Sequence, residues 1–178
     1  MNDKLKWQKI AENIKSWGND FGFDGIGISD INLKKSKPAY KQWIESGYHG
    51  EMGYLDRHQD QKFNPTKLFE GTKSIISIRL DYLPLEANAL QALKNKETAY
   101  ISRYALGRDY HKVIRAKLKK FIAHIKKELG SEDIRFRLFT DSAPVLEVEI
   151  AEKAGLGWRG KHTLLLNKDH GSWFFLGE

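Results

Sequence analysis

The strongest periodic signal runs through Val113, Ile114, Leu118, Phe121, Ile122, Ile125 and Leu129, which step by three and four. That spacing lays one apolar stripe along a helix. Lys112, Arg115, Lys119, Lys120, Lys126 and Lys127 take the rest of its surface, and Gly130 supplies a C-cap. Leu5, Ile10, Ile14, Trp17 and Phe21 predict a first amphipathic helix that breaks near Gly18 and Gly22. Residues 38–46 predict a short helix begun by Pro38 and stopped by Gly47, and residues 86–97 a polar one. Strands are predicted over 23–30, 74–84 and 134–140, where the period falls to two or the apolar run is short. From Asp141 a helix is expected to run to Gly155, with Pro144 near its first turn. Two closing strands flank a turn at 168–171. Residues 47–71 are irregular, rich in glycine and aromatics, and too long for a connector, which is the mark of a functional loop.

Composition narrows the picture. The 178 residues suit one domain spanning 1–178, with a core that needs no disulfides. No apolar run approaches the roughly 18 to 20 residues of a membrane helix. The N-terminus is polar, without a signal-peptide core, so a cytoplasmic address is expected. A net charge of +7 favours an anionic partner such as nucleic acid. The chain has no cysteine, which excludes disulfides, thiol catalysis and cysteine-ligated iron–sulfur clusters or zinc within these residues.

Three stretches could carry chemistry. Asp141 follows a predicted strand and precedes a predicted helix, a place where α/β folds put ligands and catalytic groups. It could equally be an N-cap. A cap is ionised, held so by helix N–H groups, whereas a proton donor needs desolvation; the two readings make opposite demands. Ser102, Arg103, Asp109, Tyr110 and His111 crowd the start of the basic helix. Gly155 to Leu165 concentrates glycines with Trp158, Arg159, Lys161 and His162, a backbone that can approach a ligand closely or simply a solvated turn. Gly25-x-Gly27 lacks the third glycine of a dinucleotide fingerprint and points instead to tight backbone packing. The six histidines form no metal-binding pattern, and no metal ligand is assigned. Asp109-x-His111 begins like the D-x-H-x-x-G signature of some corrinoid enzymes, but Ile114 fills the glycine's place, so His111 is not assigned as an axial ligand.

Taken together, "GYHGEMGYLDRH", "NPTKLFEGTKSII", "SRYALGRDYHKVIRAKLKKF", "DSAPVLEVEIAEKAGLGWRGKHTLL" and "GSWFFLGE" resemble the epoxyqueuosine reductases, in family order from about residue 47 onward. The resemblance implies an α/β (α+β) fold, a central mixed sheet flanked by helices, related to nitroreductase-like corrinoid-binding modules. It implies an oxidoreductase that reduces epoxyqueuosine to queuosine in the tRNA anticodon loop, with base-off cobalamin as cofactor and an external electron donor. A ferredoxin-like domain with two [4Fe–4S] clusters follows in the family. The chain would then be the corrinoid- and substrate-binding fragment, a monomer that is not redox-competent alone. By similarity Asp141 is the proton donor. Lys62, Ser102, Arg103, Asp109, His111, Lys161, His162 and Leu165 stand at cofactor-binding positions. Two departures accompany the match: Ser142-Ala143-Pro144 follows the acid where Thr-Gly-Pro is common, and Lys62 stands where some members carry arginine. Two other classes remain open, a flavin-dependent reductase on a similar scaffold and a non-catalytic tRNA-binding module.

Overall fold

The computed structural model describes residues 3–84, 86–141 and 143–178. Helix α1 (Asp3–Asp20) leads into β1 (Gly25–Asp30), then α2 (Lys37–Glu45), the short helices α3 (Gln59–Phe63) and α4 (Pro65–Leu68), and β2 (Ser74–Asp81). After α5 (Ala89–Lys94) come α6 (Tyr110–Leu129), α7 (Glu147–Lys153), β3 (Trp158–Arg159), β4 (Leu165–Leu166) and β5 (Phe174–Gly177). Helices and strands mix as expected from the sequence, but the sheet is small and antiparallel throughout. Its order is β1-β2-β5, with Gly27 opposite Ser77 and Ile78 opposite Gly177.

Alternation along the strands sorts the side chains onto two faces. Ile26, Ile28, Ile76, Ile78, Leu80 and Phe175 face α1 and α6, where Ile14, Ile114, Leu118, Phe121 and Ile125 complete the main core. The apolar stripe predicted for residues 113–129 is therefore the stripe that packs. The other face carries Gly25, Gly27 and Ser77, small enough for α7 and the turn after it to come close. A Cβ on Gly27 would stand 2.4 Å from the Ala154 carbonyl oxygen. Here Ala151, Leu156, Leu165 and Phe174 form a second cluster, and Leu33, Phe63 and Ile150 a third.

Two expectations are corrected. Residues 134–140 alternate as predicted, with Phe136 and Leu138 packed on the main core, but they form no strand. Only Phe139 bonds to the end of β5, exchanging both backbone hydrogen bonds with Glu178 at 2.8 and 3.1 Å. The intervening side chains reach elsewhere: Arg135 and Arg137 donate to the carbonyls of Glu70 and Leu68. The two closing strands do flank the turn at 168–171, closed by the Asn167–Gly171 bridge, and beyond it β4 pairs with β3 while β5 pairs with β2. Helix α7 starts at Glu147, six residues later than expected. Proline disfavours helical backbone in the residue before it, and Ala143 precedes Pro144.

Candidate active site

Asp109 caps α6. Its side chain accepts the His111 backbone N–H at 3.0 Å, so the first turn holds its shape and the next two side chains have fixed directions. The Tyr110 ring lies flat against Phe175, 4.1 Å between centroids and 8° between planes, with the His111 ring on its neighbouring side at 4.0 Å. Sheet and helix thus clamp the phenol between them.

Both rings meet Asp141. The Tyr110 hydroxyl donates to Oδ2 of Asp141, and His111 Nε2 lies 3.2 Å from the same oxygen. Asp141 adopts a left-handed backbone (φ 56°) in the turn before α7 and is not the cap of that helix, whose N-cap is Leu146. The N-cap reading is thereby excluded: side chains hold this carboxyl, not helix amides.

His111 bridges two acids, with Nδ1 3.0 Å from Asp109 and Nε2 facing Asp141. Two proton arrangements fit that geometry. An imidazolium can donate at both nitrogens, or a neutral ring can donate to Asp109 and accept from a protonated Asp141. The hydrogen bond from His111 holds the Asp109 carboxyl below its usual range. Burial first, and then the Asp141 carboxylate, push the Tyr110 hydroxyl well up, so it remains a donor.

The desolvation expected at Asp141 falls mainly on its neighbours. The Asp141 side chain is 43% exposed. Behind it, Glu147 Oε1 accepts the Asp141 backbone N–H at 2.9 Å, and burial raises the Glu147 carboxyl to about 7. Glu178 is buried, its carboxyl oxygens have no hydrogen-bond partner among the described residues, and desolvation drives its pKa upward.

The remaining predicted residues divide. Ser102 caps a 3-10 turn at Arg103–Ala105 without using its side chain, and Arg103 Nε is buried with no acceptor among the described residues. Lys161 and His162 stand exposed in the β3–β4 loop, where Gly160 admits the imidazole: a Cβ there would lie 2.6 Å from it. Leu165 is 2% exposed and packs with Ala151, Leu156 and Phe174, so its side chain belongs to the core and only its backbone can meet a ligand. Lys62 is buried at the end of α3. Its ammonium donates to the Tyr40 hydroxyl (2.6 Å) and the Leu55 carbonyl, and burial lowers its pKa. It also lines an apolar cavity of about 420 Å³ with Pro144, Val145 and Glu178, which Asp141 does not enter. The expected consequence of Ser142 for the loop lies outside the described residues.

Sequence reasoning did not find Tyr110 as the partner of Asp141, nor the acids Glu147 and Glu178. Glu147 reads from sequence as an ordinary acid complementing a helix dipole, and nothing local ties residue 110 to residue 141.

The family model described as "Epoxyqueuosine reductase QueG, DUF1730" matches residues 62–142. An epoxyqueuosine reductase of Aliivibrio fischeri is 52% identical over 98% of this chain, which covers 47% of that relative. The chain spans about half the length of the curated relatives it matches. The structure of epoxyqueuosine reductase from Streptococcus thermophilus superposes with a TM-score of 0.73 at 27% identity, over 99% of this chain and 45% of that one. A crystal structure of an epoxyqueuosine reductase with an epoxyqueuosine-modified tRNA-Tyr stem loop superposes at 0.77, 23% identical, over 96% and 44%.

Proposed function

We propose that this chain, 52% identical over 98% of its length to an epoxyqueuosine reductase and matched over residues 62–142 by the model of that family, forms the cofactor- and substrate-facing part of an enzyme reducing epoxyqueuosine to queuosine in a tRNA anticodon loop, with Asp141 as proton donor. One observation carries the reading. The Asp141 carboxyl is presented on a strained left-handed turn and held by the side chains of Tyr110 and His111, open on its remaining side. A carboxyl so held can carry a proton, share it with His111, and deliver it to an oxygen that develops negative charge.

Opening an epoxide to an alkene takes up two electrons and two protons and releases water, and no side chain supplies such electrons. A base-off cobalamin would supply them. The residues fit such a group: a corrin rim bristles with amide donors and acceptors, and Arg103 Nε is a buried donor lacking an acceptor. Ser102, Asp109, His111, Lys161 and His162 would complete the rim contacts, with the Leu165 backbone beside them. Lys62 would act one step back, steadying Tyr40 and the loop at Leu55. Two [4Fe–4S] clusters need thiolates that these 178 residues lack, so that electron supply and its external donor would lie outside them.

For the tRNA, Lys119 of α6 lines a shallow pocket with Arg115 and Arg137, a surface suited to phosphate, and Lys120 is exposed on the same helix. Titration of the purified chain with cob(II)alamin tests the cofactor assignment: a base-off spectrum supports it, while flavin uptake with no corrinoid binding rejects it. In the full-length enzyme, Asp141→Asn should abolish turnover and keep cobalamin affinity. Normal turnover by that variant removes the proton-donor role.

A further inference from the structure

Glu147 is the acid that the reading above leaves without a role. It stands in the first turn of α7, and its Oε1 accepts the backbone N–H of Asp141 at 2.9 Å. That single bond ties the helix start to a non-glycine residue in left-handed conformation, a backbone that persists only where neighbours over-determine it. The same bond places the Glu147 carboxyl beside the Asp141 turn, and the Asp141 carboxylate adds to burial in raising the Glu147 carboxyl. A carboxyl pair in which one member is desolvated holds a proton in common, because both cannot ionise cheaply. The groups facing the pair are Tyr110 and His111 at the start of α6 and Glu178 after β5.

We propose that Glu147 is the positioning partner of Asp141: it pins the Asp141 turn through the backbone amide and shares a proton with the Asp141 carboxyl, so that the two act as one acid. This rests on the proposed role of Asp141. In an epoxide reduction that consumes two protons, the shared proton would leave through Asp141 to the developing oxyanion and the second would come from solvent, both ending in the released water.

The test needs neither substrate nor cofactor, so its outcome is separate from that of the functional reading. Amide hydrogen exchange is measured in the wild type, Glu147→Gln and Glu147→Leu, with Ile78 and Ile125 as reporters of the global fold. Gln keeps an oxygen acceptor and should keep the Asp141 amide protected. Leu should raise exchange there at least tenfold while Ile78 and Ile125 stay as in the wild type. Carbon-13 titration then follows the Glu147 carboxyl in the wild type and in Asp141→Asn. Removing the neighbouring charge should move its midpoint down. Unchanged exchange at Asp141 in Glu147→Leu overturns the pin, and the same midpoint in Asp141→Asn overturns the shared proton. Should Glu147→Leu fail to fold, loss of Asp141 protection in Glu147→Gln with the core reporters intact also overturns the pin.

Discussion

His111 lies between two carboxylates and against a phenol, and each of those contacts constrains a proton. Tyr110→Phe removes the hydroxyl that donates to Asp141 but keeps the ring stacked on Phe175. Urea denaturation should show a stability change of about 1 kcal/mol, the net worth of one hydrogen bond. A loss several times larger would mean the hydroxyl, not the stacking, holds the helix start. Glu147 gives a pH prediction with a definite sign. Its carboxyl titrates about 7 in the fold against an ordinary value of 4.5, so between these pH values the folded chain keeps a proton that the unfolded chain has released. Stability from this group is therefore full below pH 4.5 and is lost as pH rises toward 7, by on the order of 3 kcal/mol. Glu178 acts in the same direction. Denaturation at pH 5 and pH 8 should show the decline, and Glu147→Gln should flatten it.

At the scale of elements, α6 and α7 press on opposite faces of one sheet, and each contact has a residue on which it turns. Leu118 and Phe121 of α6 are buried against Ile78 and Ile14, so Leu118→Ala should cost about 2–5 kcal/mol in denaturant unfolding. On the other face the close approach depends on having no side chain. Gly27→Ala would drive a methyl into the Ala154 carbonyl, and a loss of about 1–3 kcal/mol is expected. Because α7 carries Glu147, that strain should also disturb the Asp141 turn, visible as faster amide exchange there. A Gly27→Ala chain as stable as the parent would show that α7 can retreat freely.

For the whole molecule, the net charge of +7 gathers significance only where cations share a surface. Lys119 and Lys120 are exposed on α6, on the side away from its buried stripe. Reversing both charges should weaken tRNA binding at low salt and reduce the slope of log affinity against log salt. Equal affinity before and after would leave these lysines as solvation of an ordinary helix. Among the described residues no helix is long and apolar enough to cross a membrane.

What the sequence by itself determined was the local periodicity: α1 and α6 with their apolar stripes, the short helix α2, β1 and β2, and the need for glycine at Gly25 and Gly27. Those follow from contacts within a few residues, where spacing dictates which side chains share a face. The resemblance also marked Asp109, His111 and Asp141 before any geometry was known. Only the tertiary structure decided that Asp141 is held by Tyr110 and His111 and not by α7, that Glu147 and Glu178 are the buried acids, and that residues 134–140 touch the sheet end at a single point. Each depends on segments some thirty or more residues apart meeting, or on how deeply the packed elements desolvate a carboxyl, and no local pattern encodes either.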